Sequence, residues 1–285
     1  MSMMKVNTIQ PIDDSTDLVL KAGGATAITI DKDDQSVIFA KAMTMPRNAG
    51  LVVKQVPNVT DDDVDIDADF LTVFDTNNLG IVLSTVNLTM VSSAAAGVNA
   101  IDTGDFAATT WYYLYVIYNA TTATTACLAS TSATAPAMPS GYTFKKLVGA
   151  VYCVTNTADV VFTEFNQIDN YVKTVRTTLQ AETASNGTVS IATVVPTIAK
   201  QIILEVLVST GTTTNGTWNI GGTGSDNTWE QNQFSIVADS TSRKVKFPAV
   251  IALKSTSTLY HEDNAGGGGK IGYDSIGFIL GLEGI

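Results

Sequence analysis

Between residues 63 and 69 the chain alternates without a break: Asp63, Asp65, Asp67 and Asp69 are separated by Val64, Ile66 and Ala68. A period of two sends successive side chains to opposite faces of an extended strand, whereas on a helix the same residues would scatter around the circumference. The run continues through Phe70-Leu71-Thr72-Val73-Phe74, meets turn chemistry at Asp75-Thr76-Asn77-Asn78-Leu79-Gly80 and returns through Ile81-Val82-Leu83, which spells a hairpin. The rest of the 285 residues uses the same vocabulary, with 40 threonines, abundant Val, Ala, Ser and Gly, and no stretch with a helical period. β-Branched side chains lose rotamer freedom on a helix and pack well on a pleated surface. The expected fold class is all-β.

Turn chemistry divides the chain into three. Residues 1–48 hold short apolar stretches at 17–20, 27–30 and 36–39, separated by Gly23-Gly24 and by the polar run 31–35. This predicts a β-meander that oligomerises or docks onto another protein. Three such short strands bury too little apolar area to offset the ordering entropy of the segment, so it needs a partner surface. Residues 49–172 contain the hairpin, the strand-like run 146–152, and Trp111-Tyr112-Tyr113-Leu114-Tyr115-Val116-Ile117-Tyr118, apolar or aromatic on both faces and hence a central strand. Residues 173–285 carry strand-like runs at 189–191, 201–208, 234–237, 244–247 and 276–280, joined by loops rich in Gly, Thr and Asn. The spacing points to two β-sandwich or jelly-roll-like domains behind the meander.

Charge and composition remove several function classes. The chain has 16 Lys+Arg against 27 Asp+Glu, a net charge of −11, so a phosphate backbone is repelled and nucleic acid is not an expected partner. No apolar run approaches the ~20 residues of a spanning helix, and the first residues lack the apolar core of a secretory signal. Synthesis in a cytoplasm without membrane insertion is expected. Two cysteines, Cys127 and Cys153, and one histidine, His261, cannot supply a four-ligand zinc site. Both cysteines sit in apolar strand contexts and read as small buried hydrophobes.

Two groups of residues are candidate sites. Asp63, Asp65 and Asp67, with Asp61 and Asp69, share one strand face about 6–7 Å apart and repel unless cations or lysines lie nearby. They read either as a solvated face that stops an edge strand from pairing or as hard oxygen ligands for Ca2+. The glycine-bearing loop and distal Glu of an EF-hand are missing. Trp218, Trp229, Tyr260 and His261 lie in or beside polar loops. Indoles beside amide and carboxylate groups grip sugar rings, which makes these four a candidate glycan site; the other reading has the tryptophans plugging the ends of a sandwich. No carboxylate pair is marked by spacing for glycoside hydrolysis, and no Gly-x-Ser-x-Gly elbow occurs. No enzyme and no catalytic residue is expected.

The run 64–74, then Trp111-Tyr112-Tyr113, then residues 130–142 and Leu147-Val148-Gly149-Ala150-Val151, resembles a module common in tail fibres and other virion appendages of tailed bacteriophages. The likeness covers about residues 50–172, and the preceding meander is similar to the short β-repeats of trimeric phage fibres. The resemblance implies a structural virion protein, a homotrimeric tail fibre or fibre-like spike. Its N-terminal meander, residues 1–48, would serve virion attachment or trimerisation, and its C-terminal domain, residues 173–285, would meet the host surface. The partners implied are two further copies of the chain, other virion proteins, and a bacterial surface polysaccharide or protein, with no cofactor beyond the calcium option. Two other roles stay open: a capsid decoration, head-fibre or tail adaptor protein without receptor binding, and a polysaccharide-depolymerising tailspike.

Overall fold

The computed structural model describes residues 18–22, 25–30, 37–39, 48–58, 60–209, 216–222, 232–236, 244–253, 258–263 and 269–282. Among the described residues every regular element is a strand and there is no helix, so the all-β class holds. The chain divides into two units, Met1–Met45 and Pro46–Ile285. In the first, β1 (Leu18–Ala22), β2 (Ala25–Ile30) and β3 (Val37–Phe39) pair antiparallel in chain order, with an irregularity between Leu20 and Lys21.

The second unit begins with β4 (Asn48–Ala49), β5 (Val52–Val56) and the long hairpin β6 (Asp63–Phe74) and β7 (Gly80–Met90). The turn falls where its residues dictate: Asp75 Oδ1 accepts from the backbone N–H of Asn77 (2.9 Å) and Leu79 (2.8 Å), and Asn78 takes the left-handed conformation at φ 62°. Val64, Ile66 and Ala68 are buried, as the alternation requires. Beyond Asp69 the parity changes: Phe70 is exposed while Leu71 and Val73 are buried, and on β7 the buried set changes from Val86 and Met90 to Leu83. The switch coincides with Thr85 at φ 56°, which turns the chain so that the two ends of one hairpin bury opposite faces. β6 is no edge strand. β7 pairs along one side of it, and β5 (with 63–67) and β4 (with 70–71) along the other, so its aspartates do not guard a free edge.

β8 (Ala100–Ile101), β9 (Thr110–Asn119), β10 (Thr124–Ser130), β11 (Phe144–Thr155), β12 (Val161–Phe162) and β13 (Phe165–Ile168) follow. β9 lies between β10 and β11 and is buried on both faces from Tyr112 to Ile117, the central strand its composition predicts. The pairing of β8 with β10 is parallel. β6 meets β11 at a single pair, Phe74 with Lys145. About that corner the β5–β6–β7 group folds over the β9–β10–β11 group, and Ile66 and Leu71 share a core with Leu114 and Val148. Each such side chain, fully buried, contributes roughly 1.5–3 kcal/mol.

The remaining strands are β14 (Tyr171–Thr183), β15 (Gly187–Ser190), β16 (Ala199–Ser209), β17 (Gly216–Gly222), β18 (Asn232–Ile236), β19 (Lys244–Ala252), β20 (Thr258–Asp263) and β21 (Lys270–Leu280). One sheet carries the order β19-β16-β21-β14 and continues through β13 and β5 into β6, with 14 strands in all; β15-β20-β17-β18 form a separate sheet. β14 runs through residue 172, so pairing does not pause where the sequence changes character. Trp218, Ile220 and Leu259 of the four-stranded sheet share the core with Val206 and Ile271 of the larger one.

At the end of β21, the buried Lys146 Nζ donates to the Leu282 carbonyl (3.1 Å) and Leu280 N–H to the Asn170 carbonyl (2.8 Å). Asn48, Lys146, Asn170 and Leu282 line one small cavity of about 100 Å3.

Candidate functional site

Where β9, β11 and the 163–165 segment meet β14, β21 and the 191–195 turn, the second unit encloses a half-open cavity of about 200 Å3. Its wall is aromatic. The Trp111 ring stands 5.2 Å from that of Tyr152, tilted by 55°, and 5.9 Å from that of Phe278, nearly perpendicular at 86°. Trp111 is at the open, half-buried end of β9, and its indole Nε1 donates to the Ala192 carbonyl at 2.8 Å. The loop it holds is itself ordered by Val194 N–H and Val195 N–H on the Ile191 carbonyl (2.9 and 3.0 Å) and by Tyr113 Oη against Thr197 Oγ1 (2.5 Å). Four threonines, Thr163, Thr174, Thr177 and Thr193, complete the lining, and no acidic or basic side chain enters it. Burial, with a smaller contribution from Cys153, pushes the Tyr152 phenol up, so it stays neutral. The site offers stacking faces and hydroxyls, with no group suited to proton transfer near neutral pH.

A second concave place is an open groove of about 970 Å3 across β5, β13 and β14. Val161, Ile168, Tyr171 and Val175 line it, and Ile168 and Tyr171 are 60% and 45% exposed. The register puts Val52, Ile168, Tyr171 and Ile279 side by side, an apolar ladder across four strands. Lys54, Lys173 and Arg176 border it together with Asp62 and Glu164.

The residues singled out from the sequence lie elsewhere. Trp218 is 0% exposed, in the middle of β17 inside the core, with both ring faces covered. His261 is buried too. Its Nδ1 lies 3.0 Å from Tyr273 Oη and its Nε2 3.0 Å from the Ser185 carbonyl, so it ties the two sheets together rather than facing solvent. Tyr260 is half-buried on β20, paired with Thr188 and Gly221. Trp229 lies outside the described residues. Among the described residues, Trp218 and His261 are therefore closed to solvent and Tyr260 is half-buried.

The aspartates act as ties between segments. Asp63 Oδ1 accepts from Ser92 N–H (3.1 Å), and Asp65 accepts from Thr89 Oγ1 (2.8 Å) and lies 3.7 Å from Lys54 Nζ. Asp61 and Asp62 accept from Val160 N–H and Phe162 N–H, each at 2.8 Å. Asp67 faces Val52 and Asn87 in the register. Among the described residues no group of three or more His, Cys, Asp or Glu is disposed to hold a metal ion. Cys127 and Cys153 are free and buried, and burial pushes their thiols up to about 12 and about 11.

Sequence reasoning passed over the Trp111 cavity. Its lining comes from six separate stretches of chain, and no local spacing marks them as neighbours. The one signal was an aromatic residue at the polar end of a central strand, beside Thr109 and Thr110. No protein-family model matches the chain, and no curated protein matches it.

Proposed function

We propose that this chain is a structural component of a tailed-bacteriophage virion, a homotrimeric tail fibre or fibre-like spike that attaches through its N-terminal region and meets the host surface with its C-terminal half. The observation that carries this reading is the apolar ladder in which exposed Ile168 and Tyr171 stand between half-buried Val52 and Ile279, beside exposed Val161 and Val175. A contiguous apolar strip of this kind is the mark of a surface that another protein covers. A second copy is the proposed occupant, its own strip meeting this one about a symmetry axis.

Two further features support the reading. The meander of β1, β2 and β3 has strands of 5, 6 and 3 residues, an element that gains most when copies bury it between them. The eight strands from β14 to β21 divide into the orders 19-16-21-14 and 15-20-17-18. A jelly roll wound from two Greek keys has this order, and it is an architecture widespread among capsid and lectin domains.

Light scattering of the purified chain and gold-labelled antibodies on purified phage particles test the proposal. A mass of three chains with label at a tail appendage supports it. Label over the capsid lattice replaces it with a decoration role, and a monomer that labels no particle overturns it.

A further inference from the structure

We infer that the cavity beside Trp111 binds one neutral pyranose ring. The inference rests on the proposed host contact for the source of the sugar, while the chemistry of the site stands on its own lining. A pyranose has a face rich in C–H bonds and a rim of hydroxyls, each both donor and acceptor. An aromatic wall suits the face. Threonine hydroxyls suit the rim, because they also donate and accept, and Thr163, Thr174, Thr177 and Thr193 are among the residues that line the cavity. The cavity, about 200 Å3 and half-open, has room for a single ring.

Charge selects among sugars. No acidic or basic side chain lines the cavity, and the chain's −11 disfavours an approaching anion, so sialic or uronic acids and phosphates find no counter-charge. A wholly apolar ligand would strip water from the threonine hydroxyls and leave them unpaired. Trp111 is already fixed by its bond to the Ala192 carbonyl and by Tyr152 and Phe278, so little side-chain freedom is lost when a ring docks. A single ring binds weakly, and three copies on one particle raise the effective affinity by avidity.

Saturation-transfer NMR on the full chain tests this with the methyl glycosides of glucose, galactose and mannose, alongside N-acetylneuraminic acid and benzyl alcohol. At least one neutral glycoside should receive saturation at millimolar concentration, with little transfer to the acid sugar. Trp111→Ala should weaken binding at least tenfold, but it also removes the Ala192 bond. Thr193→Val keeps the shape of an exposed loop residue, so it should weaken binding several-fold with an unchanged melting temperature. The inference is overturned if no neutral glycoside receives saturation at tens of millimolar, if only benzyl alcohol does, or if Thr193→Val binds as tightly as the parent. Failure here with antibody label on a tail appendage removes the sugar site alone. Sugar binding by a chain that labels no particle removes the virion role alone.

Discussion

Thr85 holds a β-branched side chain at φ 56°, a conformation that costs such residues about 1–3 kcal/mol and that glycine adopts freely. Its side chain is exposed, so nothing in the core rewards the threonine there. Thr85→Gly is expected to raise stability by about 1 kcal/mol, net of the flexibility glycine adds to the unfolded chain, seen as a higher midpoint in urea. The two thiols make a second expectation. With Cys127 held at about 12 and Cys153 at about 11 inside the core, an aromatic disulfide reagent should label neither in the native protein and both after denaturation. The apolar neighbours of each cysteine made that burial legible in the sequence. The surroundings of Trp218 and His261 were not: His261 is fixed by Tyr273 twelve positions away and by Ser185 seventy-six positions away, contacts set by the meeting of two sheets. Gly and Thr beside a tryptophan mark the loop that follows it, and they do not reveal which layer covers its ring.

Four neighbouring strands carry one row of charge. Arg176 of β14 pairs with Glu205 of β16, donating to its Oε2 at 2.7 Å, and lies 3.4 Å from Asp274 of β21, while Lys246 of β19 reaches the same Glu205. The Arg176 guanidinium, followed by the Lys246 ammonium, holds the Glu205 carboxyl down to about 2. A carboxyl whose pKa falls on folding contributes in full above its ordinary value of about 4.5 and loses that contribution as pH drops through about 2. The stability difference between the parent and Glu205→Gln should therefore shrink between about pH 4.5 and pH 2. Added salt should shrink it at neutral pH, because the row faces solvent. Denaturant midpoints across pH and salt check both. The period of two made β6 and β7 readable as a hairpin, and the two-faced run 111–118 made β9 readable as central. Periodicity does not say what lies beside a strand. β6 read as a possible edge because its acids alternate, yet Asp63 is held by Ser92 and Asp65 by Thr89 and Lys54 from neighbouring segments.

The apolar ladder gives the whole molecule its sharpest test. Ile168→Asp puts a carboxylate at the most exposed ladder position, outside the core, so the folded chain should keep its melting cooperativity while its mass in solution falls from three copies to one. Parent and variant compared by light scattering at equal concentration decide it. The strand runs of the meander and the all-β character were plain in the sequence. The continuity of one sheet through β14, β13 and β5 was not, because the pairings of Lys54 with Asn166 and of Asn166 with Lys173 join stretches of different composition.

Asn48 and Leu282 line one small cavity, so the first and last described residues of the second unit lie close together. Pulling Asn48 and Leu282 apart would therefore strain the Lys146–Leu282 and Leu280–Asn170 hydrogen bonds that hold this corner together.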